Sequence, residues 1–136
     1  MGPPAFGACM TYQSAGLRAM VVETNYLIAS VIEAPLVSAG YRVTIATDID
    51  EAFALLAGQR IHLAVIDFRL QHAEPEGLVA RLRQEGVPFI FCTAASVEEV
   101  FEHFPDARVM PKPFSDQDLL TAVAALVPAP GAYQAE

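Results

Sequence analysis

Four polar side chains close four apolar stretches of this chain: Glu23 follows Arg18–Val22, Asp67 follows Ile61–Ile66, Thr93 follows Val87–Cys92, and Lys112 follows Arg108–Met110 within one residue. Two acids, a hydroxyl and an amine suit acyl-phosphate chemistry. A carboxylate attacks phosphorus in line, and the transition state spreads negative charge over the equatorial oxygens. A divalent metal and a cationic amine offset that charge, while a hydroxyl and backbone N–H groups position the oxygens. In such a site Asp67 is the nucleophile, Glu23 an acid near the metal, Lys112 the counter-ion and Thr93 the hydroxyl. Each residue alone has a plainer reading. A strand must end on something polar, Thr24 or Asn25 can cap a helix, Thr93 can satisfy a backbone group, and a lysine is ordinarily at the surface. Their joint occurrence at four strand ends is what points to a site.

The elements that position them alternate along the chain. Arg18–Glu23 is predicted as the first strand, and Tyr26–Ala39 as a helix closed by Gly40, with Pro35 kinking it or shortening its regular part. Tyr41–Thr47 alternates, with Tyr41, Val43 and Ile45 on one face and Arg42 and Thr44 on the other, as an edge strand does. Asp48, with Glu51 three residues on, N-caps a second helix that ends at Gly58. Ile61–Asp67 is the third strand, Glu74-Pro75-Glu76 opens the third helix, and Gly86 closes it. Val87–Thr93 is the fourth strand. Ser96 with Glu99 predicts a capping box for a short helix, Arg108–Met110 a short fifth strand, and Ser115 with Asp118 the cap of the last helix. Strands joined by helices require right-handed crossovers and a parallel sheet. The apolar first, third and fourth strands belong in its centre and the other two at its edges. The result is an α/β, flavodoxin-like three-layer sandwich with a five-stranded parallel sheet of order 2-1-3-4-5, whose strand C-termini share one rim.

At 136 residues and 54% hydrophobic content the chain makes one domain, here residues 17–127, between an irregular leader (1–16) and a C-terminal tail (128–136). The formal charge of −8 and the scattered arginines argue against nucleic acid as a partner. No stretch looks membrane-spanning and the leader lacks a basic start, so a cytoplasmic protein is expected. Cys9 and Cys92 are not placed for a disulfide or a zinc site, and Cys92 is expected in the core. His62, His72 and His103 have no catalytic spacing; His62, near the start of a strand, is expected to be structural.

Four segments in order carry a family resemblance: Val-Val-Glu-Thr-Asn at 21–25, Leu-Ala-Val-Ile-Asp at 63–67, Phe-Ile-Phe-Cys-Thr-Ala at 89–94 and Pro-Lys-Pro-Phe at 111–114. Over roughly Leu17–Val127 the chain resembles the receiver domains of two-component response regulators. The resemblance implies a phosphoacceptor signalling protein rather than an enzyme on a separate substrate, assisting its own phosphotransfer and dephosphorylation. Asp67 would be the acceptor, charged by a histidine kinase or phosphotransfer protein in a phosphorelay, with Thr93 and Lys112 assisting. Signalling would then pass to a downstream protein target, and a homodimer is left open. Mg²⁺ would be held by Glu23, Asp67 and the backbone carbonyl of Arg69. The Lys112–Pro113 peptide is expected to be cis.

Two positions depart from that pattern. Receivers usually carry two consecutive acids after the first strand, and the second is the direct metal ligand; here the pair is Glu23-Thr24. A hydroxyl is a poorer partner for a hard cation than a carboxylate. A charge pair at 4 Å is worth roughly 4 kcal/mol at an effective dielectric near 20, so weaker Mg²⁺ binding is expected. The aromatic that commonly precedes the lysine by three residues, and turns inward on phosphorylation, is Val109 here. Phe114 is expected in the core rather than as its replacement. Arg69 and Ala95 fall two residues past the acceptor and the threonine, where receivers border the phosphoryl group, and Arg69 can hold phosphoryl oxygens, hold a partner's acid, or stay solvated. Phe101 and Phe104 lie on the docking face implied by resemblance, with core as the expectation for both. The chain is thus read as a stand-alone receiver phosphorylated on Asp67. The alternative is a pseudo-receiver, an interaction module independent of phosphorylation. A phosphatase is disfavoured, because Arg69 stands where those enzymes want a second acid.

Overall fold

Five short apolar stretches set 5 strands, and the glycine- and cap-bearing segments between them set 5 helices: β1 Arg18–Val22, α1 Tyr26–Ser38, β2 Arg42–Ala46, α2 Ile49–Gly58, β3 Leu63–Asp67, α3 Glu76–Gln84, β4 Phe89–Thr93, α4 Val97–His103, β5 Arg108–Pro111 and α5 Asp116–Leu126. The structure is a computed structural model, and it describes residues 16–70, 75–94 and 96–127. The leader before Gly16 with Cys9, the tail from 128, and Glu74, His72 and Ala95 lie outside the described residues. The strands pair in parallel in the order β2-β1-β3-β4-β5, as the alternation of buried and edge patterns requires.

The period-2 pattern splits the core into two layers. Met20, Val22, Ala64, Ile66 and Phe91 face one side, packed with Ala52 and Leu56 of α2, Leu78 and Leu82 of α3, and Val100 of α4. Ala19, Val21, Leu63, Val65, Ile90 and Cys92 face the other, packed with Ala29, Ile32 and Leu36 of α1 and Leu119 and Val123 of α5. Phe91 is fully buried at the centre of an aromatic cluster, with its ring 5.4 Å from Phe68 and 5.2 Å from Phe104.

Local chemistry explains most boundaries. α1 closes with Gly40 at φ 100°, where the Gly40 N–H donates to the Val37 carbonyl and the Tyr41 N–H to the Leu36 carbonyl. α3 closes the same way at Gly86, φ 71°, through Gly86 to Arg83 and Val87 to Leu82. Pro35 does not end α1, which continues to Ser38. β3 and β4 are shorter than their apolar runs, whose first residues Ile61 and Val87 are buried yet precede the paired residues, whereas β5 runs one residue past its expected end, to Pro111. Burial alone therefore overestimates strand length. Two further expectations are corrected. Phe104 is buried, but Phe101 is 42% exposed on the outer side of α4. Ser96 accepts the Glu99 N–H, but the reciprocal half of the capping box is missing because the Glu99 carboxylate reaches Arg69 instead.

Candidate functional site

A parallel sheet brings every strand C-terminus to one edge, and there the four residues meet. Glu23 directly follows β1, Asp67 ends β3, Thr93 ends β4, and Lys112 follows β5. The Lys112 N–H donates to the Thr93 carbonyl at 2.8 Å, fixing the turn after β5 to the end of β4. The Lys112–Pro113 peptide is cis, as expected.

Lys112 lies between the two acids. Its Nζ is 3.2 Å from Glu23 Oε1 and 4.0 Å from Asp67 Oδ1. Glu23 is buried and would be costly there without partners. Besides Lys112, its Oε2 accepts the Asn25 N–H at 3.1 Å. Asn25 in turn caps α1 with Oδ1, accepting from the Leu27 N–H at 2.9 Å. The turn that starts α1 thus also holds the buried acid. Asp67 is only partly covered, and Oδ1 accepts the Arg69 N–H at 3.2 Å. Burial and the nearby Glu23 charge raise its carboxyl above the ordinary aspartate range, while Lys112 and the Arg69 N–H pull it back. Thr93 is fully buried at the end of its strand. A partly exposed carboxylate beside an ammonium and a hydroxyl-bearing strand end has the chemistry to act as a nucleophile, with one cation nearby to offset charge.

Other residues fall outside this constellation. Cys92 is buried beneath the rim with its thiol pushed up to about 12, so it is inert packing. His62 is at the opposite end of the sheet, where Nδ1 accepts the Arg18 N–H at 2.9 Å. Burial, with Arg60 and Arg18 nearby, lowers its pKa and keeps it a neutral acceptor. Val109 packs against the α2–α3–α4 layer and Phe114 against the α1–α5 layer, so Phe114 does not stand in for an aromatic at position 109, three residues before Lys112. The residue that sequence reading misplaced is Glu99: a local cap motif was visible, but the 30-residue separation from Arg69 hid the 2.6 Å ion pair.

Among the described residues no three His, Cys, Asp or Glu side chains group as a metal site. The carboxylates in contact with Lys112 are those of Glu23 and Asp67, with Thr24 beside Glu23 in sequence. Two carboxylates are oxygen donors of the kind a hard divalent cation takes, and so few of them leave most of its shell to water.

Residues 19–124 match the response regulator receiver domain family. None of the curated proteins matches the chain. A response regulator receiver domain protein from Methanospirillum hungatei JF-1 superposes with a TM-score of 0.71 at 27% identity, over 80% of this chain and 91% of that one. The non-phosphorylated HemR receiver domain from Leptospira biflexa gives 0.70 at 28% identity, over 81% and 93%. A response regulator protein from Burkholderia pseudomallei, whose structure carries a phosphorylated aspartic acid, a calcium ion and citrate, shares the fold at 0.69 and 23% identity, over 88% and 71%.

Proposed function

This chain belongs to the response regulator receiver family, and from that premise we propose that Asp67 accepts a phosphoryl group from a histidine kinase or phosphotransfer protein and signals through a downstream protein. The observation that carries the reading is the set of contacts around Lys112, whose amine lies 3.2 Å from Glu23 and 4.0 Å from the partly exposed Asp67. An Asp67 oxygen attacks the phosphorus of a phosphoimidazole. The new P–O bond forms as the P–N bond breaks, and the imidazole nitrogen leaves with the electron pair and takes a proton. Lys112 offsets charge on the phosphoryl oxygens, and Thr93 and the backbone N–H groups after Asp67 orient them. Hydrolysis reverses the state: water attacks phosphorus, the bond to Asp67 breaks, and inorganic phosphate leaves.

Glu23, Asp67 and the Arg69 carbonyl are the groups that would hold Mg²⁺, weakly because Thr24 replaces an acid. When bound, the metal offsets negative charge on the phosphoryl group. A cytoplasmic setting belongs to the same proposal, in keeping with described helices none of which is long and apolar enough to cross a membrane.

A protein donor is supported by α1. Tyr26, Leu27, Val31 and Val37 are exposed on a helix that begins at the rim and carries one charge, Glu33. Apolar surface of this kind marks contact sites for proteins.

The test is incubation with acetyl phosphate over a range of Mg²⁺ concentrations, read by intact mass. A phosphoryl adduct is expected in the parent chain and absent in Asp67→Asn. Thr24→Asp should lower the Mg²⁺ concentration needed for half-maximal labelling. Thr24 and Val109 favour one rival reading, a phosphorylation-independent interaction module. No adduct at any Mg²⁺ concentration, from acetyl phosphate or from a kinase, would decide for that module.

A further inference from the structure

Arg69 and Glu99 pair with each other across 30 residues, although each has a different natural partner closer in sequence. The Arg69 N–H is tied to Asp67 Oδ1 at 3.2 Å, yet its guanidinium points away from the acceptor and pairs with Glu99 Oε1 at 2.6 Å. Glu99 is the third residue of α4, and its own N–H donates to Ser96 Oγ at 3.1 Å. The matching position in α5, Asp118, sends its carboxylate back to the Ser115 N–H and completes a capping box. Glu99 forgoes that bond for Arg69. Both side chains border a cleft of about 250 Å³ beside Phe68 and His103, so they can change partners without repacking the core.

Building on the phosphoacceptor reading, we propose that the Arg69–Glu99 pair is a latch: phosphorylation of Asp67 draws the Arg69 guanidinium onto the phosphoryl oxygens and releases Glu99 to cap α4. The physical basis is charge. A phosphoryl group carries nearly two negative charges and three acceptor oxygens, which a planar guanidinium matches better than a single carboxylate. The arginine belongs to the acceptor loop itself, so the exchange requires only a side-chain swing. The present pair is exposed on both sides, 61% and 36%, and such pairs are weakly held. The exchange also addresses both departures of this chain from the receiver pattern. Arg69 supplies cationic charge where Thr24 weakens the metal, and α4 receives the signal without an aromatic at Val109.

A latch and a merely structural ion pair differ in sign. Initial rates of labelling by acetyl phosphate at limiting Mg²⁺ should rise about 2–5-fold in Glu99→Gln, which frees Arg69, and fall about 5–10-fold in Arg69→Gln. The double variant should match Arg69→Gln alone, because Glu99 acts only through Arg69. Backbone amide NMR supplies a second readout. Phosphorylation should move the Ser96 and Glu99 amide signals in the parent, and Glu99→Gln should abolish that response. Changes of the same sign in both single variants, or an unmoved Ser96 amide in labelled parent protein, would overturn the latch and leave the phosphoacceptor reading standing. An unlabelled parent would overturn both.

Discussion

Glu23 is the residue whose burial costs most and whose partners are best defined. Placing a carboxylate almost wholly out of water is unfavourable unless donors replace the lost hydration, and here Lys112 and the Asn25 N–H do so. Lys112 therefore serves two acids, and the share it gives Asp67, at 4.0 Å, is the smaller. That asymmetry leaves Asp67 available, with one ammonium shared between two acids. His62 makes the opposite commitment at the far end of the sheet. Its Nδ1 must stay unprotonated to accept the Arg18 N–H, and burial with two arginines lowers its pKa. The unfolded chain, with an ordinary histidine near 6.5, takes up the proton first as pH falls. This contribution to stability is complete above about pH 6.5 and is lost as pH falls from there through the lower folded value. Thermal unfolding of the parent between pH 7.5 and 5 should therefore show a steeper acid decline than His62→Gln, whose amide oxygen can accept the same bond without titrating. Identical slopes would mean that His62 is not held neutral by the fold.

Caps and glycines did most at the level of elements. The two helices closed by Gly40 and Gly86 end where the sequence places them, because a left-handed residue there allows the next N–H to turn back onto the last turn. Ser115 and Asp118 form a complete capping box, so Ser115→Ala should lower stability by about 1–2 kcal/mol in urea unfolding, measured as a shifted midpoint with an unchanged slope. The fold order and all four rim residues were legible because they follow from local patterns: apolar runs, their length, and the residue that ends each one. What stayed hidden is non-local. The Ser96–Glu99 motif is the same local signal as Ser115–Asp118, and it fails in one helix only because Arg69 competes from 30 residues away. Phe101 was equally opaque, since a seven-residue helix one turn from Phe104 does not reveal which ring faces in. Strand ends were overestimated for a related reason: Ile61 and Val87 are buried under neighbouring chain without pairing in the sheet.

Among the described residues acids collect at one end of the strand axis, while the other end is mixed, with Arg60 and Arg83 bordering one cleft beside Glu85 and Asp106. Acids cluster where the helices begin, at Asp48, Asp50, Glu51, Glu76, Glu98, Glu99, Asp116 and Asp118, on the same side as Asp67. Helix N-termini favour negative charge, so each acid has a local reason to be there. Arg18, Arg42 and Arg108 open their strands at the other end. The collective result is an acidic rim in a chain of net charge −8, which repels an acidic partner approaching the acceptor. On the phosphoacceptor proposal, attraction must come from elsewhere, and the exposed apolar face of α1 is the surface that offers it. Leu27 is 76% exposed and Val31 68%, one turn apart on a helix that starts two residues past Glu23 and Thr24. A donor protein covering Asp67 can bury both. In the double variant Leu27→Glu/Val31→Glu, transfer from a histidine-phosphorylated protein that labels the parent chain should slow by at least about tenfold, the effect expected when apolar anchors are replaced by charge on an already acidic surface. Labelling by acetyl phosphate, which needs no docking face, should change less than about twofold. Because both side chains point to solvent, the fold should survive, as circular dichroism and the melting temperature can check. Equal slowing with both donors would place the effect in the site itself, through Asn25 and Glu23, rather than in the docking face.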